Sequence, residues 1–252
     1  AIVDVQRCIS QLLEVSQADD LSRFVWERTE GNPFLVLELL RTLTDHGLLR
    51  QEDGVWTWDM GEIQESELPL GSWKMLDLAI EHLVQACPAT KTFLSVAACL
   101  GPEFDTLQVQ RVGNLDLADA RATLKRLWQR GILEETNAKG KGSSSNRRFK
   151  FAHDRWQEAS LTLIDDQEDF RFQVGRQLVA TLSHSDLTDS AFWVSQLLFA
   201  KAHTLSHVQD RVAMAELFGL AGVKAAQCSA FDVAANYFAK AIDMLPDKTR
   251  WL

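Results

Sequence analysis

The residues with the clearest chemical potential are His153 and Asp154, a histidine–aspartate pair placed where a predicted strand gives way to a predicted helix. Such a pair occurs in catalytic sites, and an imidazole N–H also hydrogen-bonds phosphate oxygens. Asp154 would orient the imidazole or cap the helix that follows. The alternative is a histidine tucked beside the strand end, with Asp154 as an ordinary N-cap. The adjacent Arg155 would face a phosphate or form a surface ion pair with a carboxylate.

A second short stretch, Gly31-Asn32-Pro33-Phe34, lies far earlier in the chain. Asn32 is predicted to be the N-cap of a helix and Pro33 to occupy its first position, where a proline loses no hydrogen bond. Phe34 then begins an apolar stripe at helical spacing. This local pattern explains Asn32 and Pro33 without any ligand.

The sequence lacks the other parts that an active site needs. It has no G-x-x-x-x-G-K-[ST] phosphate loop, no paired carboxylates, no His/Cys set with metal-ligand spacing and no nucleophile elbow. The other histidines have no partner spacing and are predicted at helix surfaces or ends: His46, His82, His184, His203 and His207. We therefore predict no catalytic residue and no metal ligand in this chain, and we do not expect it to be an enzyme by itself.

Composition points to a soluble cytoplasmic protein. The 252 residues are 46% hydrophobic and 24% charged, with a net charge of -9 that weighs against nucleic acid as a partner. No apolar run reaches the length of about 20 residues that a membrane helix needs. Four dispersed cysteines indicate a reducing compartment, and three of them are predicted as small buried hydrophobes within helices. The chain begins at Ala1 and ends at Leu252, where another helix is predicted to begin, and this is typical of an excised fragment.

Helical periodicity dominates the chain, and the predicted fold is mostly α with small β-hairpins. The first part, 1–72, is predicted as a helical lid with a hairpin around Asp53-Gly54, followed by a polar link over 59–72. The second, 73–165, shows three helices followed by a two-stranded hairpin, which is the winged-helix order. A Gly/Ser/Lys loop over 137–146 separates the two strands of that hairpin.

The third part, 166–252, is predicted as a truncated array of helices. Its last two helices fit a tetratricopeptide repeat, in which small residues let paired helices approach and an aromatic fills the gap. The matching positions are Phe218, Ala221, Gly222, Ala234, Phe238, Ala241 and the terminating Pro246. One such repeat needs neighbours to bury its faces, so we expect the array to continue beyond Leu252.

Two blocks of sequence carry a resemblance to a known family. The first is Thr29 to Leu40 with Gly47-Leu48-Leu49 and Trp56-Thr57-Trp58, and the second is Ala97 to Gly101 with Phe151 to Ala159. In this order they resemble the region after the AAA-type core in signal-transduction ATPases with numerous domains. The similarity is greatest to the branch fused to serine/threonine or histidine kinases. The family order of lid, winged helix and helical repeats covers nearly the whole chain.

The resemblance implies a regulatory rather than a catalytic role. In the family, the Gly-x-Pro motif packs on the nucleotide base, which Gly31 and Pro33 would do here. The family histidine reaches the β-phosphate of ADP and locks a closed, inactive state, and His153, Asp154 and Arg155 occupy that position. The cofactor, ATP or ADP with Mg²⁺, would belong to the parent protein and not to this fragment. The implied partners are an upstream ATPase core in cis and a protein or signal ligand bound by the helical array.

Two other functional classes remain open from the sequence. The first is a winged-helix transcription regulator, whose wing would place Lys139, Lys141, Arg147 and Arg148 on a DNA backbone. Its recognition helix would carry Arg121, Lys125, Arg126 and Arg130, but the same helix also holds apolar residues and lies among acidic ones. The second is a helical protein-interaction scaffold.

Overall fold

The computed structural model describes residues 1–15, 18–70, 73–101, 103–136 and 147–245. Within them the fold is mostly α-helical with two small antiparallel sheets, as the sequence predicts. The helices are α1 (Ile2–Leu13), α2 (Asp19–Thr29), α3 (Pro33–Asp45), α4 (Met60–Glu65), α5 (Lys74–Ala86), α6 (Ala89–Cys99), α7 (Thr106–Val112), α8 (Leu117–Gln129), α9 (Asp154–Leu161), α10 (Gln167–Thr181), α11 (His184–Phe199), α12 (Val208–Gln227) and α13 (Phe231–Met244). The strands are β1 (Leu49–Glu52), β2 (Val55–Trp58), β3 (Phe104–Asp105), β4 (Leu133–Thr136) and β5 (Arg148–Phe151).

The chain divides into two compact units, Ala1–Ala86 and Cys87–Leu252. Helix α5 belongs to the first unit, together with α1 to α4 and the β1–β2 hairpin. The finer division into 1–72, 73–165 and 166–252 stays a prediction. None of the helices in the described ranges is both long enough and apolar enough to cross a membrane.

The core of the first unit is built from the apolar faces of α1, α2 and α3. The buried residues include Ile9, Leu21, Val25, Leu39 and Leu43. Helix α3 begins as predicted, because the Asn32 side chain accepts a hydrogen bond from the backbone of Phe34 and Pro33 fills the first position. This cap fixes the direction in which the chain leaves α2.

The β1–β2 hairpin and the segment after it close that core from one side. Asp53 and Gly54 both have positive φ, as a two-residue hairpin turn requires. The segment predicted as a polar link is instead partly helical: Asp59 accepts the backbone N–H groups of residues 61 and 62 and thereby starts α4. Ile63 of α4 is buried in the core, which is why six residues of low apolar content hold a helix.

The second unit contains a three-stranded sheet in the order β3-β5-β4, with every pair antiparallel. The predicted hairpin is formed by β4 and β5, where Leu133 pairs with Phe151. Strand β3 is two residues long and was absent from the sequence prediction; its Phe104 pairs with Phe149. Strand β5 is therefore the central strand, held on both edges.

Each of the helices α10 to α13 packs against the next along the chain, and α12 with α13 forms the most extensive pair. A Cβ placed on Gly222 of α12 would lie 2.7 Å from the Phe238 ring of α13, so the absence of a side chain allows this close approach. The predicted gap-filling aromatic was Phe238, but 39% of its surface is exposed. The neighbouring Tyr237 is the buried ring, and it stacks on Phe218 with ring centroids 6.2 Å apart. Pro246, the predicted end of the repeat, lies outside the described residues.

The prediction of three buried cysteines is wrong. Only Cys99 is buried, Cys8 and Cys87 are half-buried, and Cys228 is exposed at the end of α12. Helical periodicity placed these residues in apolar patterns, but it does not show how completely neighbouring elements cover each face.

Candidate functional site

His153 is the N-cap of α9, and this is the main correction to the predicted site. The backbone N–H of Arg155 donates to Nδ1 of His153 at 3.1 Å. A ring nitrogen accepts a hydrogen bond only when it carries no proton, so the proton of the neutral ring lies on Nε2. Capping by Nδ1 therefore makes Nε2 a hydrogen-bond donor, the form that a phosphate oxygen requires.

Asp154 does not cap the helix, contrary to the expectation that it is the ordinary N-cap. It is the first residue of α9 and is exposed. A carboxylate in this position interacts favourably with the positive end of the helix dipole. Arg155 forms an ion pair with Glu158, with 2.6 Å between Nη1 and Oε2. Both side chains are largely exposed, so this pair contributes little to stability.

The backbone around His153 is anchored on two sides. Strand β5 leads directly into it, and the N–H of Ala152 donates to the carbonyl of Ile132 at 2.9 Å. On the helical side, Trp156 is fully buried, and the Gln157 amide donates to the carbonyl of Ala98 in α6 at 2.9 Å. These contacts place the histidine at a rigid junction between the sheet and α9.

Gly31 and Pro33 lie in the first unit, at the turn between α2 and α3. Glu30 and Gly31 both have positive φ, 52° and 77°, and this reverses the chain before the proline. The left-handed conformation favours glycine at position 31, although an added Cβ would meet its nearest neighbour only at 3.7 Å. Glycine is thus explained by the turn itself, and the proposed contact with a base is not needed to account for it.

The turn forms one wall of an open groove of about 670 Å³ in the first unit. The groove is lined by Arg28, Thr29, Glu30, Gly31, Asn32, Pro33, Leu35 and Trp73. Trp73 stacks on Phe34 with ring centroids 6.0 Å apart. The sequence analysis did not connect Trp73 with this site. The sequence shows Trp73 only as an aromatic residue at the start of a predicted helix. Its contact with Phe34 forms only when distant parts of the chain fold together.

The predicted residues form two groups, one in each unit. Gly31 and Pro33 share the groove of the first unit, whereas His153, Asp154 and Arg155 are consecutive in the second. Among the residues that the structure describes, no three His, Cys, Asp or Glu side chains are grouped so that they could hold a metal ion.

Of the wing residues proposed for DNA binding, the two that the structure describes, Arg147 and Arg148, lie near carboxylates, as does the neighbouring Lys150. Lys150 pairs with Glu134 at 2.7 Å, and this contact raises the pKa of the lysine. Arg148 lies 3.4 Å from Glu103, and Arg147 lies 3.6 Å from a carboxylate of β4. Lys139 and Lys141 lie outside the described residues. The described face of the sheet therefore presents paired charges rather than a surplus of cations.

Comparison with known proteins gives one informative similarity. In an alignment 210 positions long that covers 69% of the chain, the chain is 24% identical to hybrid signal transduction histidine kinase G from Dictyostelium discoideum. The chain spans only 6% of that kinase. No protein-family model matches the chain, and no solved structure matches it.

Proposed function

We propose that this chain is a non-catalytic regulatory part of a larger signalling ATPase or protein kinase, where it helps to hold a nucleotide-bound, inactive state. Relief would follow when the helices of the second unit bind a partner protein or a signal ligand. The hydrogen bond from the backbone of Arg155 to Nδ1 of His153 carries this proposal, because it selects the tautomer in which Nε2 bears the proton, the form that can donate to a phosphate. The distant similarity to a signal transduction histidine kinase supports the signalling context.

The architecture that the resemblance implies is a second source of support. The order α6, β3, α7, α8, β4 and β5, with β5 in the middle of the sheet, supports our proposal that this part is a winged-helix module. The close approach of α12 and α13 at Gly222 agrees with a tetratricopeptide-like pair. We propose that the first module reports the nucleotide and that the helical pairs receive the signal.

The proposed switch has two states whose populations the nucleotide biases. ADP would stabilise the closed state through His153 and through contact of its base with Pro33 in the groove. Arg28 lies in the same groove and would add a positive charge near the ligand. Because this chain has no phosphate loop, a separate ATPase core must supply most of the affinity, with Mg²⁺ as the metal of the bound nucleotide.

The deciding experiment separates the capping role of His153 from its proposed contact with phosphate. In a longer protein that includes the upstream ATPase core, His153→Asn retains a good N-cap but shortens the side chain, whereas His153→Ala removes both functions. We expect both variants to release ADP faster and to raise basal activity. Thermal unfolding should show His153→Ala to be less stable than His153→Asn by about 1 kcal/mol, the usual contribution of a cap.

The result that contradicts this function is ADP retention and basal activity at the level of the unaltered protein in His153→Asn. That outcome would assign His153 a capping role only and would favour the helical-scaffold alternative. For the 252 residues alone, we expect negligible ATP hydrolysis and very weak ADP binding in calorimetry. Tight ADP binding by this chain in isolation would also contradict the proposal.

A further inference from the structure

The side chain of Cys87 lies at the N-terminal end of α6 among groups that donate hydrogen bonds. Its sulfur lies 4.0 Å from the hydroxyl oxygen of Thr123 in α8. The backbone N–H of Thr90 donates to the carbonyl of Cys87 at 2.9 Å, so that Thr90 lies one turn away from the same residue. Since the first turn of a helix carries unsatisfied N–H groups and the positive end of the dipole, it favours a negative charge at this point.

Two buried donors near the thiol lack a hydrogen-bond partner among the described residues. The Thr90 hydroxyl is fully buried, and within the described ranges it has no hydrogen-bond partner. The same holds for Nη1 of Arg126, an atom that is buried although its residue is not. A neutral thiol is a weak acceptor, whereas a thiolate accepts several hydrogen bonds and neutralises the guanidinium charge. Ionisation of Cys87 would therefore satisfy donors that the protonated form leaves unmatched.

We propose that Cys87 is a reactive thiolate and a site of covalent modification by low-molecular-weight disulfides. The residue is half-buried, and a small reagent can therefore reach it. The nearby Arg126 guanidinium has the largest effect in lowering the pKa of this thiol, followed by Thr123, Ala89 and Thr90. Thiols held in such an electropositive, partly exposed setting are the ones that react.

The reaction is thiol–disulfide exchange. The Cys87 thiolate attacks one sulfur of the disulfide, a new S–S bond forms, and the S–S bond of the reagent breaks. The second half of the reagent leaves as a thiolate and takes up a proton from solvent. Cys87 is oxidised and the leaving sulfur is reduced, so no further oxidant is needed. The product is a mixed disulfide at the start of α6.

The other cysteines provide internal controls. Burial raises the pKa of Cys99 to about 11, so this thiol should stay protonated and unreactive in the folded protein. Cys228 is exposed at the end of α12, where a helix dipole disfavours negative charge. Access alone would make Cys228 the first cysteine to react. If the neighbouring donors stabilise the Cys87 thiolate as proposed, Cys87 reacts before Cys228.

The test is to treat the unaltered folded protein with oxidised glutathione at neutral pH and to locate the adduct by peptide mass spectrometry. We expect the first adduct on Cys87, several-fold faster than on Cys228. Faster modification of Cys228 would overturn the proposal. A matched measurement follows the rate of reaction with 5,5′-dithiobis(2-nitrobenzoate) against pH in Cys87→Ser and Cys228→Ser proteins. The reaction lost in Cys87→Ser should have the lower pH midpoint.

Two further substitutions test the cause. Arg126→Met should raise the pH midpoint of the Cys87 reaction, since it removes the main stabilising charge. Lys125→Met removes an equal charge from the neighbouring exposed position of α8 and should leave the midpoint nearly unchanged. Equal effects of the two substitutions would refute the specific role of Arg126. The comparison of Cys87 with Cys228 in the unaltered protein stands even where Arg126→Met does not fold.

Discussion

Replacement of Gly222 by alanine tests how closely α12 and α13 approach. Three atoms of the Phe238 ring would lie 2.7, 2.8 and 3.0 Å from the new Cβ, well inside normal contact distance. Overpacking of this kind costs about 1–3 kcal/mol. The ring is partly exposed and can move outward, which places the expected cost towards the lower end of that range.

The same substitution also changes helix propensity, and this effect must be separated from the clash. Alanine is favoured over glycine within a helix by about 1 kcal/mol. Gly219 provides the matched control, because it lies in the same helix and an added Cβ would meet nothing within 4 Å. Gly219→Ala should therefore stabilise the protein by about 0.5–1 kcal/mol. The difference between the two variants isolates the clash at about 1–3 kcal/mol.

Urea unfolding followed by circular dichroism at 222 nm measures both free-energy changes. A double-mutant cycle adds Phe238→Ala, in which the ring that causes the clash is absent. Gly222→Ala should then become stabilising in that background, as Gly219→Ala is in the unaltered protein. Equal stabilisation by Gly219→Ala and Gly222→Ala in the unaltered protein would refute the close packing of α12 on α13.

Three further measurements test other parts of the second unit. The Asp166 carboxylate caps α10, and the backbone amide of Asp169, followed by Lys201, lowers the pKa of this carboxyl. The stability that the cap contributes is therefore present above the ordinary pKa of 3.8 and is lost as the pH falls through the lower pKa of the folded state. The melting temperature of Asp166→Ala should thus lie below that of the unaltered protein at pH 7 and approach it in acid; a difference that persists below the folded value would contradict this. Arg211 donates to the last two carbonyls of α13 at 2.9 and 3.0 Å, and Arg211→Met should cost about 1 kcal/mol in urea unfolding and speed hydrogen exchange at that end. Burial raises the pKa of Cys99 from 9.0 to about 11. The contribution of the neutral thiol to stability is therefore complete below pH 9 and declines as the pH rises from 9 to about 11. Cys99→Ala should remove this decline from the pH dependence of the free energy of unfolding.

Features set by local interactions could be predicted from the sequence. The start of α3 depends on Asn32 and Pro33, which act on their own backbone, and it was predicted correctly. The hairpin turn at Asp53-Gly54 follows from conformations that these two residue types accept. The succession of helices after Asp154 also follows from periodicity within each segment.

Features that depend on distant partners could not be predicted in the same way. Strand β3 exists because Phe104 pairs with Phe149, which lies in another part of the sequence. Tyr237 rather than Phe238 is buried because its ring contacts Phe218 and two rings of α11. The residue that caps α9 could not be predicted with the same ease, because His153 and Asp154 are adjacent hydrogen-bond acceptors and aspartate is the more common N-cap. The conformation at the end of β5 determines which of them takes that position.

The anchoring of His153 limits the kinds of motion by which it could sense a ligand. Its backbone continues the central strand of a sheet, and its imidazole is tied to the first turn of α9. A change of the His153 rotamer would break the hydrogen bond that caps α9. We therefore expect the His153 side chain to keep the same rotamer in both states. The histidine would bind or release a phosphate because the sheet and α9 move together.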